Sequence, residues 1–167
     1  MAKANLCRKE QDEKYMQLAL AEARKAREKG EVPVGAVITD GRNILARGHN
    51  CPIRNNDPTA HAEVVALRKA ARKVKNYRLT DLTMYVTVEP CPMCLGAIIQ
   101  ARIKRLVYGT EDPKAGAVVS ALKFDLSRSN HQPEIVSGVC REECQKIISD
   151  FFREKRKVRV EKNHILK

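Results

Sequence analysis

The residues best suited to chemistry in this 167-residue chain are His61, Glu63, Cys91 and Cys94. His61-Ala62-Glu63 precedes an apolar, helix-forming run. Pro90-Cys91-Pro92-Met93-Cys94 follows the β-branched stretch Leu82 to Val88. Zinc accepts imidazole nitrogen and thiolate sulfur, and a catalytic zinc uses three protein ligands and keeps a fourth position for water. His61, Cys91 and Cys94 make such a set, and Glu63 is placed to take a proton and pass it on. Each half alone says little. A His-x-Glu pair is usually a surface pair, and a Cys-x-x-Cys serves redox chemistry or half of a structural zinc site as readily. A structural site needs a fourth ligand, which Cys140, Cys144 or another histidine could supply. Structural zinc, however, needs no acid–base carboxylate, so the combination favours a catalytic centre.

Elements must bring these pieces together. Residues 11–29 carry Tyr15, Leu18, Ala19, Ala23 and Ala26 at helical spacing, with Gly30 as a stop. Pro33–Thr39 and Ile44–Gly48 read as strands joined by an Asp40-Gly41 hairpin turn. Asp57-Pro58 signals a helix start, with Asp as cap and Pro in the first turn, and that helix is expected to run to about Lys75. Residues two apart do not share a helix face. His61 and Glu63 can therefore converge only if His61 lies where the backbone is not yet regular, in that first turn. Leu82–Val88 reads as a buried strand, and Pro90 as the start of a helix reaching about Ala101. Its N-terminal dipole would favour thiolate at Cys91 and Cys94. Ile103–Tyr108 is expected to be a strand ended by Gly109. Residues 110–133 are irregular, Glu134–Val139 a short strand and Arg141 to about Val158 a final helix. The order predicts a three-layer α/β/α architecture with a mixed five-stranded sheet. It forms one domain over residues 1–167, with 1–10 and 160–167 flexible.

Composition narrows the partners. Hydrophobic residues make up 43% and charged residues 31%, a globular balance. No apolar run approaches the roughly 20 residues that cross a bilayer, and the N-terminus lacks the apolar core of a signal peptide. The expectation is a cytoplasmic protein, in which the six cysteines point to metal binding more than to disulfides. The net charge of +12 favours a polyanion such as RNA. From Arg153 to Lys167 there are seven Lys or Arg and two Glu, so a basic tail follows Phe151-Phe152. With aromatics at 4% and no Trp, an extended stacking platform is not expected. Cys140 and Cys144 read as buried small hydrophobes rather than a second metal site. Cys51 reads as incidental to the loop before the site, and His131 as a solvent-exposed loop residue or a neighbour of substrate phosphate.

The His-x-Glu…Pro-Cys-x-x-Cys pattern is the known signature of nucleobase-type zinc deaminases. GEVPVGAVI (30–38), DPTAHAEVVALR (57–68), NYRL (76–79), YVTVEPCPMC (85–94) and SDFFR (149–153) carry the match further. Over roughly Asp12 to Arg156 the chain resembles the bacterial-type tRNA-specific adenosine deaminases of the cytidine-deaminase-like superfamily. The resemblance implies a homodimer with one zinc ion per subunit. It also implies hydrolytic conversion of adenosine to inosine at the wobble position of an arginine tRNA anticodon. Glu63 would protonate N1 of the flipped-out adenine and later the leaving ammonia. By the same resemblance Asn50 would hydrogen-bond the purine and Val34 would lie beneath it. Asp112 and Lys114 would meet the anticodon backbone, and Phe151, Phe152 and Arg153 would shape the RNA groove. Where the family continues this loop with Ala-Ala-Gly-Ser, this chain has Ala117-Val118-Val119-Ser120, so a stiffer loop is expected. Two alternatives remain on the same residues. One is a deaminase of a free nucleobase or nucleotide (cytosine or guanine), and the other is a non-enzymatic RNA-binding module with structural zinc. The charge of +12 and the basic helix favour the tRNA reading over the first, and Glu63 speaks against the second.

Overall fold

A computed structural model describes the backbone of residues 2–165 and the side chains of residues 6–158. Helix α1 (Ala2–Glu28) leads into the hairpin β1 (Gly35–Thr39) and β2 (Ile44–His49). The short α2 (Pro52–Asn55) and the long α3 (Ala62–Val74) precede β3 (Thr83–Val88), α4 (Pro92–Gln100) and β4 (Arg105–Thr110). A 3-10 turn at Leu126–Arg128, the edge strand β5 (Glu134–Ser137) and helix α5 (Arg141–Ile165) complete the chain. The sheet order is β2-β1-β3-β4-β5. β1 runs antiparallel to both neighbours, while β3, β4 and β5 are parallel. This is the expected mixed five-stranded sheet.

The three layers follow from strand periodicity, because alternate side chains of a strand point to opposite faces. Met84 and Val86 of β3, with Leu106 and Tyr108 of β4, enter a core shared with Ala66, Leu67, Leu95 and Ile98 of α3 and α4. The intervening Tyr85 and Val107 enter a second core with Met16, Ala19 and Leu20 of α1 and Cys144 and Ile147 of α5. A sheet buried on both faces needs apolar residues at nearly every position, and all of β1 and β4 is buried.

Several boundaries differ from the sequence reading. α1 begins at Ala2, and α5 continues to Ile165. Expected flexibility at Met1, Leu166 and Lys167, and for the side chains of 2–5 and 159–167, lies outside the described residues. Asp40-Gly41 does not form a two-residue turn. Asp40 instead accepts from the N–H groups of Arg42 (2.8 Å) and Asn43 (2.6 Å), in a longer loop. Gly109 does not end β4 but sits within it. A Cβ there would lie 2.3 Å from Cys144 Sγ, so only glycine lets α5 pack this closely. Cys144 is thus a buried small hydrophobe, as expected.

A buried polar network ties α1 to the sheet at the end of β4 remote from Cys91. Arg105 donates to both oxygens of Asp12 at 2.6 and 2.7 Å, and the Tyr85 hydroxyl donates to the same carboxylate at 2.7 Å. Burial opposes ionisation of Asp12, but these bonds and the Arg105 charge win and hold it below the usual carboxylate range.

Candidate active site

The largest sequence correction concerns helix starts. Asp57-Pro58 does not begin α3. It forms a turn closed by the Ala60 N–H on the Asp57 carbonyl at 3.1 Å, with Asp57 Oδ1 accepting from Thr59 N–H at 2.8 Å. The helix starts four residues later, and His61 is its N-cap, in extended geometry (φ −71°, ψ 154°). Cys91 plays the same part for α4 (φ −71°, ψ 170°), so that helix starts after Pro90 rather than at it. His61 therefore converges with Glu63 because it precedes the first turn. The irregular backbone that their spacing demanded is there, one step earlier than expected.

Neither N-cap side chain caps its own helix. His61 Nδ1 instead lies 3.7 Å from Cys91 Sγ and 3.6 Å from Cys94 Sγ. All three donor atoms lie within 4.8 Å of one another, and they are the one such His/Cys/Asp/Glu group among the described residues. A tetrahedral zinc with nitrogen at about 2.0 Å and sulfur at about 2.3 Å needs N···S separations of roughly 3.5 Å. The donors present fit that ion. The set sits at two helix N-termini, whose dipoles stabilise thiolate. The Cys91 thiol is drawn down to about 4, chiefly by the hydrogen bond from Cys94, which outweighs burial, and further by His61. Cys94 is pushed up by that same bond and by burial. The bond to Cys91 raises His61 against its burial.

Glu63, the second residue of α3, is buried beside this set. Burial above all, with the nearby Cys91 charge, pushes its carboxyl up to about 7. Asn50 solves the capping problem that His61 leaves. Its Oδ1 accepts from the Ala62 N–H at 2.8 Å, and its own N–H bonds the Val34 carbonyl at 3.1 Å. With Oδ1 committed, the amide group has its Nδ2 donors left for a ligand. Gly48 allows this approach, since a Cβ there would lie 2.3 Å from the Ala62 carbonyl oxygen.

These residues open into a cavity of about 470 Å³ at the carboxyl ends of β3 and β4, where ligands of open α/β sheets characteristically bind. Val34, Asn50, His61, Glu63, Cys91, Asp112, Lys114 and Phe152 all line it. Phe151 does not. It is buried beneath Phe152, with ring centroids 5.5 Å apart, and lines a separate recess against Arg27. Arg153 is also outside, exposed and paired with Asp150 at 2.6 Å.

Sequence reasoning missed Glu89, which is 3% exposed. Its Oε1 accepts from the N–H groups of Val118 (2.9 Å), Val119 (2.7 Å) and Ser120 (3.1 Å). Its Oε2 accepts from Asp112 N–H (3.1 Å) and the Ser120 hydroxyl. One carboxylate thus ties down the loop that carries Asp112 and Lys114. Burial disfavours its charge, yet the Ser120 and backbone bonds win and lower its pKa. Val119 is not among the residues with positive φ, so the loop needs no glycine there. On the opposite wall, buried Glu31 accepts from Arg54 N–H (2.9 Å) and Ile53 N–H (3.4 Å), which fixes α2 and Pro52. The only signal in sequence was a pair of acidic residues in otherwise apolar strand surroundings. Cys51 is buried and engaged by Asn55 Nδ2 at 3.2 Å, and it does not line the cavity although its neighbours Asn50 and Pro52 do. His131 bonds the Ile103 carbonyl at 2.7 Å and does not line the cavity.

The MafB19-like deaminase family model matches residues 10–156. A tRNA-specific adenosine deaminase of Haemophilus influenzae is 50% identical over 162 residues, which are 96% of this chain and 94% of that protein. A structure solved in work on A-to-I editing by tRNA:A34 deaminases at the wobble position of transfer RNA superposes with a TM-score of 0.76. It is 47% identical and covers 80% of this chain and 97% of that one. Guanine deaminase of Bacillus subtilis is more distant, with a TM-score of 0.57 and 36% identity over 68% of this chain and 83% of its own. The chain belongs to the MafB19-like deaminases, in the family of the tRNA-specific adenosine deaminases.

Proposed function

We propose that this chain deaminates adenosine to inosine at the wobble position of a tRNA anticodon, with an arginine tRNA as its substrate. The observation that carries the reading is a buried carboxylate, Glu63, beside a three-donor metal set in a cavity that also holds a fixed amide donor. His61, Cys91 and Cys94 would hold one zinc ion per subunit, which when bound supplies the Lewis acidity that makes water a nucleophile near neutral pH. Glu63 accepts a proton from the attacking water and delivers it to N1 of the purine. It then shuttles the second proton to the amine leaving C6, so that water and adenosine become inosine and ammonia. The Asn50 Nδ2 donors orient the purine edge, and Val34 offers an apolar surface for its face. Lys114 and the exposed Phe152 at the rim suit a nucleotide whose backbone stays outside the cavity. An anticodon loop is single-stranded, so presenting one base costs little.

The homodimer implied by the family has support in exposed apolar groups near the site. Met93 of α4 is 38% exposed, and Leu122 and Phe124 after the Glu89-bound loop are 62% and 52% exposed. No described helix is long and apolar enough to cross a membrane, which accords with a cytoplasmic tRNA enzyme. The test is incubation of the zinc-loaded protein with unmodified tRNA and, separately, with free cytosine, guanine and adenine, reading inosine and ammonia. Inosine in the anticodon is the expected result. Ammonia from a free base alone would overturn the reading in favour of the nucleobase alternative.

A further inference from the structure

The charge of this protein lies in two blocks, and the tail is only one of them. From Val64 to Thr80 there are six cations, Arg68, Lys69, Arg72, Lys73, Lys75 and Arg78, and no acidic residue. All six are exposed. Only Arg68 has an ion-pair partner among the described residues, Asp57 at 3.4 Å. Residues 68, 69, 72 and 73 recur at i, i+1, i+4 and i+5 and so form one stripe on α3. Lys69 and Lys73 are steadied by the Arg47 and Ile44 carbonyls of edge strand β2, at 2.9 and 3.2 Å. An ammonium has three donors, so each keeps two for a ligand.

This stripe descends from the active site. His61 is the N-cap residue of α3, and at 1.5 Å per residue Lys69 and Lys73 lie about 12 and 18 Å along the axis from it. α3 packs on β2 and β1, at one side of the sheet. α5 packs on the other face of the sheet, beside α1, where Glu154 pairs with Arg27. Residues 134–150, by contrast, contain two Lys or Arg against four Asp or Glu.

We propose that the outer face of α3 is a second RNA-binding surface, which holds backbone phosphates of the tRNA body beyond the anticodon stem-loop. This rests on the tRNA reading above. The same face of a second copy is disfavoured as occupant by like charge, with five of the six cations lacking an ion-pair partner among the described residues. An anionic membrane is disfavoured because the apolar stripe of α3, including Ala66, Leu67 and Ala70, is already buried against the sheet and cannot insert.

The test compares wild type with Lys69→Gln/Arg72→Gln/Lys73→Gln, whose exposed positions accept glutamine without loss of helix propensity. Affinity for full-length tRNA and for the isolated anticodon stem-loop is measured across a salt series. Three lost phosphate contacts lower the slope of log K against log salt by about 2, at roughly 0.7–0.9 per contact. The expected result is at least tenfold weaker binding of full-length tRNA. Affinity for the stem-loop and inosine formation at saturating stem-loop are expected to stay within twofold of wild type. Unchanged affinity and slope for full-length tRNA would overturn the proposal, as would equal losses on both RNAs. Loss of binding to phosphatidylserine vesicles with tRNA binding intact would assign the face to membrane and overturn it too. If wild type forms no inosine, the tRNA reading fails by itself, and the salt slopes still decide whether this face binds RNA.

Discussion

Replacing Glu89 separates the chemistry of the site from the loop that presents RNA to it. The carboxylate accepts four backbone N–H groups and one hydroxyl. In Glu89→Gln the new carbonyl can keep the N–H groups of Val118, Val119 and Ser120. The amide nitrogen then faces the Asp112 N–H, donor against donor. A hydrogen bond to a charged group is worth about 1.5–3 kcal/mol, so losing the Asp112 bond destabilises the held loop by about 2 kcal/mol. That is roughly 30-fold in the ratio of held to released loop, and up to that factor in the population of the held state. If Asp112 and Lys114 bind RNA from this state, apparent affinity falls in proportion to its population. The expected outcome is a KM for the anticodon stem-loop raised about 10- to 30-fold, with kcat changed less than threefold, because Glu63 and the metal donors stand on α3 and α4. Glu89→Ala, which loses every bond, is expected to exceed this. The assay is inosine formation under steady-state conditions, with zinc content measured on each variant. A kcat/KM within twofold of wild type in both variants, at equal zinc content, would refute the claim that Glu89 positions this loop.

Other outcomes follow from the same geometry. Glu63→Gln keeps the metal donors intact and is expected to bind zinc normally while deamination falls by at least about 10²–10⁴-fold, read by metal analysis and inosine assay. Chelation is expected to abolish activity and lower the melting temperature, and one equivalent of zinc should restore both, because an ion that binds only the folded state stabilises it. Arg105→Ala strands the buried Asp12 carboxylate and is expected to destabilise the fold by about 3 kcal/mol in denaturant titration. Asp12 has its pKa lowered by folding, so its contribution is full above the ordinary carboxylate pKa and is lost as pH falls through the lowered folded value. Acid unfolding of Asp12→Asn should therefore show a shallower loss of stability below pH about 4, relative to wild type. Gly48→Ala forces a Cβ to within 2.3 Å of the Ala62 carbonyl and is expected to cost about 1–3 kcal/mol, with a reduced kcat because Ala62 ties Asn50 to the site.

Much of the fold was legible in local pattern. Val86, Tyr85 and Met84 alternate between two cores as a doubly covered strand must, and the helix expected between β3 and β4 is the crossover that makes that pair parallel. The metal donors were legible because zinc chemistry restricts residue types, and the spacing of His61 and Glu63 already demanded irregular backbone at His61. Tertiary structure decided the rest. Asp57-Pro58 has the local chemistry of a helix start, but Asn50, twelve residues before Ala62, supplies the cap that lets α3 begin after His61. Glu89 looked like an acidic residue at a strand end, and its part depends on a loop 23 to 31 residues away. Phe151 and Phe152 are adjacent in sequence, yet one is buried and the other faces the cavity, because α5 crosses the sheet edge at one particular rotation. The charge excess was plain from composition. That half of it lines the outer face of α3, across the sheet from α5, is a consequence of how the helices pack on one sheet, which no local pattern encodes.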